Sequence, residues 1–314
     1  MYNSRKLVLI GTGFVGMSMA YAIEIQGIVN EMVLIDIDKE KAEGEAMDLL
    51  HGIACSPSRM KIKAGDYSDC KDADIVVITA GIAQKPGETR LDLAKTNSKI
   101  VENITKEVMK SGFSGVFVVA TNPVDLMTYI VYKTSKLPSN QVIGSGTVLD
   151  SFRLRYLISE KIEVYAKNTH AFIIGEHGDS SFAVWSNSYA GGVPIKDILK
   201  QKNIDEQEFY ENTYKEVQQS AYEVIKKKKA TYYAIGIALS KIVKAIINNE
   251  RKVLSVSTCL NGEYGIEDIC IGVPTVVNHR GAKEILEMPL SEDEKKKLNH
   301  SVEILKNMKK ELGY

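Results

Sequence analysis

Short apolar runs rich in β-branched residues alternate with segments of helical periodicity through the first half of the chain. Segments such as Met17–Gln26 and Leu93–Met109 place apolar residues three and four positions apart, which predicts helices. Near-continuous apolar strands between helices are typical of a parallel sheet covered on both faces, so we predict a doubly wound α/β domain over residues 1–145. The predicted strands are Lys6–Ile10, Met32–Asp36, Ile75–Thr79, Val116–Ala120 and Gln141–Gly144.

The pattern changes after about Asp150. Helical segments become longer, and the strand-like runs Phe172–Ile174, Val253–Ser257 and Ile269–Val273 are sparser. We therefore predict a separate α+β substrate domain over residues 146–314, rather than further strands of the first sheet. It should end in an amphipathic helix with a capping box and one apolar stripe, formed by Ser291 with Glu294 and by Leu298, Val302, Leu305, Met308 and Leu312.

Composition narrows the function classes. Forty acidic residues balance forty basic ones in 314 residues, so no net charge favours nucleic acid or an anionic membrane as partner. Charges interrupt every long apolar window, and the first apolar run enters a glycine-rich turn instead of a cleavage site, so we expect a soluble cytoplasmic protein. The four cysteines (Cys55, Cys70, Cys259 and Cys270) form no CxxC pair, and we expect reduced thiols and no metal site.

A glycine motif joins the first predicted strand to the first predicted helix. Gly11, Gly13 and Gly16 form G-x-G-x-x-G, with Phe14 and Val15 opening the helix. Tight turns need glycine for many reasons, so the motif alone is weak. Its position after a strand and before a helix predicts a Rossmann domain in which the pyrophosphate of a dinucleotide lies at the positive helix N-terminus.

Asp36 strengthens that prediction and selects the cofactor. It ends the second predicted strand 20 residues after Gly16, where a carboxylate accepts hydrogen bonds from a ribose diol. The same charge would repel the 2′-phosphate of NADP, and no arginine follows at once, so we expect NAD. The alternative, that Asp36 is only a turn residue at a strand end, stays open.

Three polar residues of the second half, with Arg90, are candidates for the chemistry. His177 lies between glycines in Gly-Glu-His-Gly-Asp, which would leave its ring open to a cleft, although a lone histidine is more often structural. Asp150 and Arg153 are three residues apart, a spacing that puts them on one helix face; the alternative is an ordinary intrahelical ion pair. Reduction of a ketone by hydride requires a proton donor, a carboxylate clamp and a stabiliser of oxygen charge, which His177, Arg153 and Arg90 can supply.

The sequence resembles the lactate/malate dehydrogenase family over essentially its whole length. The matching segments, in chain order, are GTGFVG, the strand ending at Asp36, AGIAQKPGETRLDL, TNPVD, GSGTVLDSFRLR, GEHGD and ATYYAIG. Seven ordered motifs are far more specific than any one of them. The resemblance implies an NAD-dependent oxidoreductase acting on a small 2-oxo or 2-hydroxy acid, in glycolysis and fermentation.

The resemblance also implies a role for each site residue. His177 would be the general acid–base, and Asp150 would orient its imidazole and favour the protonated form. Arg153 would bind the substrate carboxylate as a bidentate fork, and Arg90, on a closing loop, would polarise the carbonyl. Asn122 would hydrogen-bond within the cofactor–substrate pocket, and Thr231 would line its wall.

Gln84 carries the choice of substrate. It stands where malate-specific members of the family have an arginine that pairs with the second carboxylate of oxaloacetate. An uncharged glutamine would leave that carboxylate unpaired at a cost in free energy, whereas the methyl group of pyruvate makes no such demand. The sequence therefore favours reversible reduction of pyruvate to L-lactate over malate oxidation, with malate dehydrogenase as the alternative.

The resemblance raises three further expectations. Arg155 and His170 stand where bacterial members bind fructose 1,6-bisphosphate between subunits, although a solvated surface pair is the alternative. The family expectation for assembly is a homotetramer. Lys229 replaces the glycine that the family commonly has before Ala230-Thr231, and a lysine makes a positive φ less favourable there, so the helix is expected to continue or the turn to change.

A non-catalytic NAD-binding protein on the same scaffold is the remaining alternative. Such a protein would be expected to lose His177, Asp150 or Arg153, and all three are present, as is Arg90.

Overall fold

The computed structural model describes residues 5–57, 59–82 and 90–314, without the side chain of Arg90. Its helices are α1 (Phe14–Gln26), α2 (Lys39–Gly52), α3 (Arg90–Lys110), α4 (Val124–Ser135), α5 (Val148–Ile162), α6 (Ile195–Gln201), α7 (Glu206–Lys228), α8 (Tyr233–Ile247) and α9 (Glu292–Glu311). Its strands are β1 (Lys6–Ile10), β2 (Glu31–Ile35), β3 (Lys61–Ala64), β4 (Ile75–Ile78), β5 (Val116–Val119), β6 (Val142–Gly144), β7 (Thr169–His170), β8 (Ile173–Ile174), β9 (Phe182–Ala183), β10 (Tyr189–Ala190), β11 (Val193–Pro194), β12 (Lys252–Asn261), β13 (Glu267–Asn278) and β14 (Gly281–Ile285).

The parallel sheet predicted from the first half is confirmed. Strands β3-β2-β1-β4-β5-β6 lie side by side in that order and all pair in parallel. This is the doubly wound Rossmann order, in which the carboxyl ends of β1 and β4 meet at the reversal point where ligands bind. The five predicted strands form within one residue of their predicted ends. The unpredicted β3 is an edge strand in which only Ile62 is buried, so it lacks an apolar signature.

The second half departs from the prediction of a separate sheet. Strands β12, β13 and β14 extend the first sheet in antiparallel fashion beyond β6, which makes nine strands in the described part of the chain. The junction is narrow, because β12 meets β6 through the single pair Ser257 and Gly144. The remaining short strands form a β11-β10-β7 sheet and a β8-β9 hairpin. The substrate half is α+β as predicted, but it is built onto the edge of the Rossmann sheet.

The two halves share one apolar core. Buried residues of α8 (Leu239, Ile242 and Val243) pack in the same cluster as Leu7 and Leu9 of β1. Helix α8 can approach α1 this closely because Gly236 has no side chain; a Cβ there would lie 2.7 Å from that of Ser18. The close packing expected from the missing linker is therefore observed.

The predicted C-terminal helix forms as α9. Ser291 accepts from the Glu294 backbone N–H at 3.3 Å, and the Glu294 carboxylate accepts from the Ser291 N–H at 2.8 Å, so the capping box is reciprocal. Leu298, Val302 and Leu305 of the apolar stripe are buried. Within the described residues, no helix combines the length and the apolar character needed to cross a membrane.

The expectation of four reduced thiols is wrong for one pair. Cys259 and Cys270 lie directly opposite each other on β12 and β13 and are joined by a disulfide. They are only 11 residues apart in sequence, and the hairpin between them brings their Cα atoms to 3.8 Å. Cys55 is exposed and free, whereas Cys70 is free but buried, which raises its pKa to about 12.

We predict that two of the four cysteines react with a thiol reagent in the unfolded, unreduced protein, because Cys259 and Cys270 are paired. Mass spectrometry after alkylation should count two labels before reduction and four after it. In the folded protein Cys55 should react first, since Cys70 is buried and its thiolate is disfavoured. Four labels without a reductant would contradict the pairing.

Candidate active site

The glycine turn after β1 has the geometry that a bound dinucleotide requires. Gly11 has φ +106°, and a Cβ there would lie 2.5 Å from the backbone nitrogen of Ala80. A Cβ on Gly16 would lie 2.2 Å from the Gly11 carbonyl oxygen, so that glycine lets α1 pack against β1. Gly13 faces open space, where a ligand can approach the backbone. Helix α1 has no acidic residue in its first turn, and the first-turn N–H groups of Phe14 and Val15 have no partner within the helix.

Asp36 lies at the carboxyl end of β2, in the same cleft. The cleft has a volume of about 880 Å³ and is lined by Gly11, Gly13, Asp36 and Thr79 among others. Burial alone would raise the pKa of Asp36, but hydrogen bonds from the Thr12 backbone N–H (2.7 Å), the Thr12 hydroxyl (2.8 Å) and the Asp38 N–H (3.1 Å) hold that pKa below its usual value. The carboxylate is therefore ionised at neutral pH. This charge fits the ribose diol of NAD and opposes a 2′-phosphate.

His177 and Asp150 form a hydrogen-bonded pair. Nδ1 of His177 lies 2.8 Å from Oδ2 of Asp150, which is in the first turn of α5. Burial would lower the pKa of His177, but the charge of Asp150 and its hydrogen bond raise that pKa above the ordinary histidine value. Burial would raise the pKa of Asp150, and the charges of His177 and Arg153 lower it. Each partner thus stabilises the charged form of the other, the imidazolium of His177 and the carboxylate of Asp150.

Arg153 joins the same carboxylate from one turn along α5. Its Nη1 donates to Oδ1 of Asp150 at 3.0 Å, so each oxygen of Asp150 has its own partner. Only 16% of the Arg153 side chain and 13% of the Asp150 side chain are exposed, against 30% of His177. Of the three residues that the sequence predicted as a group, His177 and Arg153 thus both bind the carboxylate of Asp150. A guanidinium with one donor engaged keeps further N–H groups for a second carboxylate.

The loop that carries His177 is fixed on three sides. Gly175 and Gly272 of β13 exchange two backbone hydrogen bonds, at 3.0 and 3.1 Å. Asp125, in the first turn of α4, accepts from the His177 backbone N–H at 2.7 Å. From α7, Tyr214 donates through its hydroxyl to the Ser181 carbonyl, and Tyr222 donates to Asp179 at 3.3 Å.

Sequence reasoning missed two residues at this site. Asp125 lies in the TNPVD segment, where an acid in the first turn of a helix looks like an ordinary partner of the helix dipole. Asn97 of α3 is 1% exposed, and its side chain binds both the N–H and the carbonyl of Ile82 as well as the Asn122 carbonyl. The signal that could have found Asn97 is weak, because it is one asparagine in a long polar helix.

Other predicted residues lie near the cleft or outside the described part. Asn122 follows β5, and its side chain is exposed. Thr231 lies between α7 and α8; the ring of its neighbour Tyr232 stacks on Phe14 at 5.1 Å, which puts this segment beside the glycine turn. Gln84 lies outside the described residues, and so does the side chain of Arg90.

The two candidate effector residues lie on neighbouring elements. Arg155 of α5 donates through Nε to the Ala171 carbonyl at 2.9 Å, and His170, the residue before Ala171, is exposed. The Arg155 guanidinium is 4.7 Å from the ring of Phe172, and burial lowers its pKa to about 10. The side chain of Arg155 is thus partly buried, whereas that of His170 is exposed.

These features define a dinucleotide-binding protein of the Rossmann class with a histidine–carboxylate pair and an arginine in its second half. Comparison with known proteins identifies the family. Residues 5–144 match the NAD-binding domain of lactate/malate dehydrogenase, and residues 147–313 match the α/β C-terminal domain of that family. The chain therefore belongs to the lactate/malate dehydrogenase family, and its cofactor is NAD.

Individual relatives agree along the whole chain. L-lactate dehydrogenase 2 of Bacillus cereus is 51% identical over 302 residues, 96% of each chain. L-lactate dehydrogenase 2 of Lactococcus lactis is 51% identical over 307 residues, 98% of each. The crystal structure of the minor L-lactate dehydrogenase of Enterococcus mundtii, in its ligands-bound form, superimposes with a TM-score of 0.96 at 49% identity and covers 98% of both chains.

Lys229 contradicts the expectation stated for it. Helix α7 ends at Lys228, and Lys229 has φ +72°, in the left-handed region that favours glycine. Its N–H still closes the helix on the Ile225 carbonyl at 2.8 Å. The turn before Thr231 is thus formed by a lysine in an unfavourable backbone conformation.

We predict that Lys229→Gly raises the free energy of unfolding by about 0.5–1 kcal/mol, because glycine adopts this conformation without strain. Thermal melting should rise by about 1–3 °C. The matched control is Lys226→Gly, an equally exposed helical position where glycine should lower stability. Equal effects of the two substitutions would contradict the strain at Lys229.

Proposed function

We propose that this chain is an L-lactate dehydrogenase, which reduces pyruvate reversibly with NADH. The observation that carries the proposal is that His177 and Arg153 hydrogen-bond to the two oxygens of the Asp150 carboxylate. The same chain also has a cleft whose lining suits NAD. The relatives named L-lactate dehydrogenase support the choice of reaction. Residues 1–145 would bind the dinucleotide, and residues 146–314 would supply most of the substrate contacts.

His177 acts as the general acid–base. An ionised carboxylate only accepts hydrogen bonds, so the proton on Nδ1 points at Asp150, and Nε2 carries the proton that is transferred. The cleft around Gly11, Gly13 and Asp36 would hold NADH, which when bound would supply the hydride for the keto carbon of pyruvate. His177 donates its proton to the keto oxygen, and the resulting neutral imidazole accepts a proton again in the reverse direction.

Arg153 anchors the substrate carboxylate. A carboxylate bound to its free donors would lie beside His177, because both residues are tied to Asp150. Arg90 polarises the carbonyl, Asn122 hydrogen-bonds within the pocket, and Thr231 lines its wall. These three roles, and that of Gln84, come from the family resemblance.

The test is NADH oxidation with pyruvate and with oxaloacetate, in the natural chain and in Gln84→Arg. We expect pyruvate to be preferred, and Gln84→Arg to shift the ratio of kcat/KM toward oxaloacetate by about two orders of magnitude, because a buried charge gains its partner. Gln141→Arg, at a half-buried position before β6 and thus at the opposite end of the sheet, serves as control and should leave the ratio unchanged.

Each contrary outcome identifies an alternative. Preference for oxaloacetate by the natural chain would indicate malate dehydrogenase. Turnover of neither substrate would indicate a non-catalytic NAD-binding protein. An unchanged ratio in Gln84→Arg would remove Gln84 from the specificity assignment without affecting the reaction itself.

We also propose that the chain forms a homotetramer, which is the family expectation. We further propose that fructose 1,6-bisphosphate binds at Arg155 and His170 and activates the enzyme. An arginine and a histidine on adjacent elements can both donate hydrogen bonds to a phosphate. Apolar side chains exposed on α1 and α8 support assembly, since monomers rarely expose such patches; they include Tyr21 (60%), Ile25 (50%) and Ile237 (59%).

Titration of the initial rate with fructose 1,6-bisphosphate tests the effector site. At pyruvate concentrations below KM we expect the rate to rise about tenfold, through tighter pyruvate binding, with sedimentation showing assembly in parallel. Arg155→Gln should abolish the response, while Arg59→Gln, on the Rossmann half, should keep it. A flat response in the natural chain would refute the allosteric site.

A further inference from the structure

Asp125 is a buried carboxylate to which the proposed reaction gives no role. It is 2% exposed and lies in the first turn of α4, directly after the polar segment that ends β5. Burying a carboxylate is unfavourable unless charge or hydrogen bonds compensate, so its position requires an explanation.

Asp125 contacts the main chain of His177. Oδ2 accepts from the His177 backbone N–H at 2.7 Å, a short distance typical of a hydrogen bond to a charged acceptor. The other oxygen, Oδ1, has no hydrogen-bond partner of normal geometry among the described residues, and neither has the buried hydroxyl of Ser257 on β12. The clear hydrogen bond to the Asp125 carboxylate among the described residues thus comes from the loop that carries His177.

The charged and titratable groups around Asp125 come from three elements. His177 and Glu176 lie on the loop after β8, and Tyr129 lies one turn further along α4. Lys309 of α9 shares a small cavity with Asp125. Burial raises the pKa of Asp125 to about 6, and the Ser257 hydroxyl, the His177 N–H and the His177 charge limit that rise.

The influence between Asp125 and His177 is mutual. Asp150 is the main group that raises the pKa of His177, and the charge of Asp125 raises it further, while Arg153 opposes both. Two carboxylates therefore stabilise the charged form of the His177 imidazole. Asp150 does so through Nδ1, and Asp125 does so from its position at the backbone N–H of the same residue. The sequence predicted the contribution of Asp150 but not that of Asp125.

We propose that Asp125 is a positioning residue for the reaction proposed above: it fixes the main chain of His177 and supplies a second negative charge that stabilises the imidazolium. The inference rests on the proposed function for its kinetic consequence, but not for its effect on the histidine. At pH values above about 6 the Asp125 carboxylate is ionised, so its support is present where His177 must retain a proton.

Two substitutions separate the two effects. In Asp125→Asn the amide oxygen can still accept from the His177 N–H, so the loop keeps its anchor and only the charge is lost. Asp125→Ala removes both and leaves a buried N–H without its acceptor. The matched control is Glu24→Gln, which neutralises another buried carboxylate of raised pKa, on α1. Asp150→Asn is the positive control.

The experiment is NMR titration of carbon-13-labelled histidine rings, together with pH profiles of kcat/KM in both directions. In Asp125→Asn we expect the pKa of His177 to fall, so kcat/KM for pyruvate at pH 8 drops about three- to tenfold while the value at pH 6 changes less than about twofold. Lactate oxidation, which needs neutral His177, should begin at lower pH. Asp125→Ala should lose about ten- to a hundredfold at both pH values.

The outcomes decide between charge, anchoring and no role. A His177 titration in Asp125→Asn identical to that of the natural chain would overturn the charge effect, and an Asp125→Ala profile like that of Glu24→Gln would overturn the anchoring. If Asp125→Ala does not fold, Asp125→Asn alone still decides the charge effect. Failure of the natural chain to reduce pyruvate would refute the proposed function, and the ring titration would still report on Asp125.

Discussion

The site depends on the ionised state of Asp150. His177 and Arg153 both bind this carboxylate, and the charge of Arg153 lowers the pKa of His177. Without a negative charge between them, the imidazole would therefore hold its proton less well. One carboxylate with its two oxygens assigned to two different donors resolves this conflict and sets the direction in which both side chains face. Breaking such a partly buried arrangement by removing the carboxylate leaves two uncompensated charges, which is far more costly than losing a surface ion pair.

The fold brings these residues together through backbone contacts as much as through side chains. Helix α5 begins four residues after β6 ends, so Asp150 and Arg153 project from the carboxyl edge of the sheet. The histidine loop comes from elsewhere in the chain, and the Gly175–Gly272 hydrogen bonds tie it to β13. The antiparallel extension of the sheet is therefore what places His177 opposite α5, and Asp125 adds a contact from the dinucleotide half.

Local signals were sufficient for much of this structure. The β-branched runs, the glycine turn and the three-residue spacing of Asp150 and Arg153 each depend on neighbours in sequence, and each was predictable. Long-range pairing was not predictable from the sequence. Strand β12 pairs with β6 through one residue pair, which leaves no pattern along the chain. Similarly, the spacing of Cys259 and Cys270 does not indicate that they lie opposite each other in a hairpin. Lys229 violates a backbone preference because the helix hydrogen bond and the turn to Thr231 override it. Asp125 was overlooked because its role lies in a contact across elements.

The continuous nine-stranded sheet also limits how this molecule can move and be divided. A hinge between halves would have to tear β12 from β6 and separate α8 from the core it shares with β1. Relative rotation of the two halves would therefore expose part of this shared apolar core, which is unfavourable. A fragment ending after β6 would carry an unpaired strand edge and a bare apolar helix face, so the dinucleotide-binding half expressed by itself should self-associate instead of remaining monomeric.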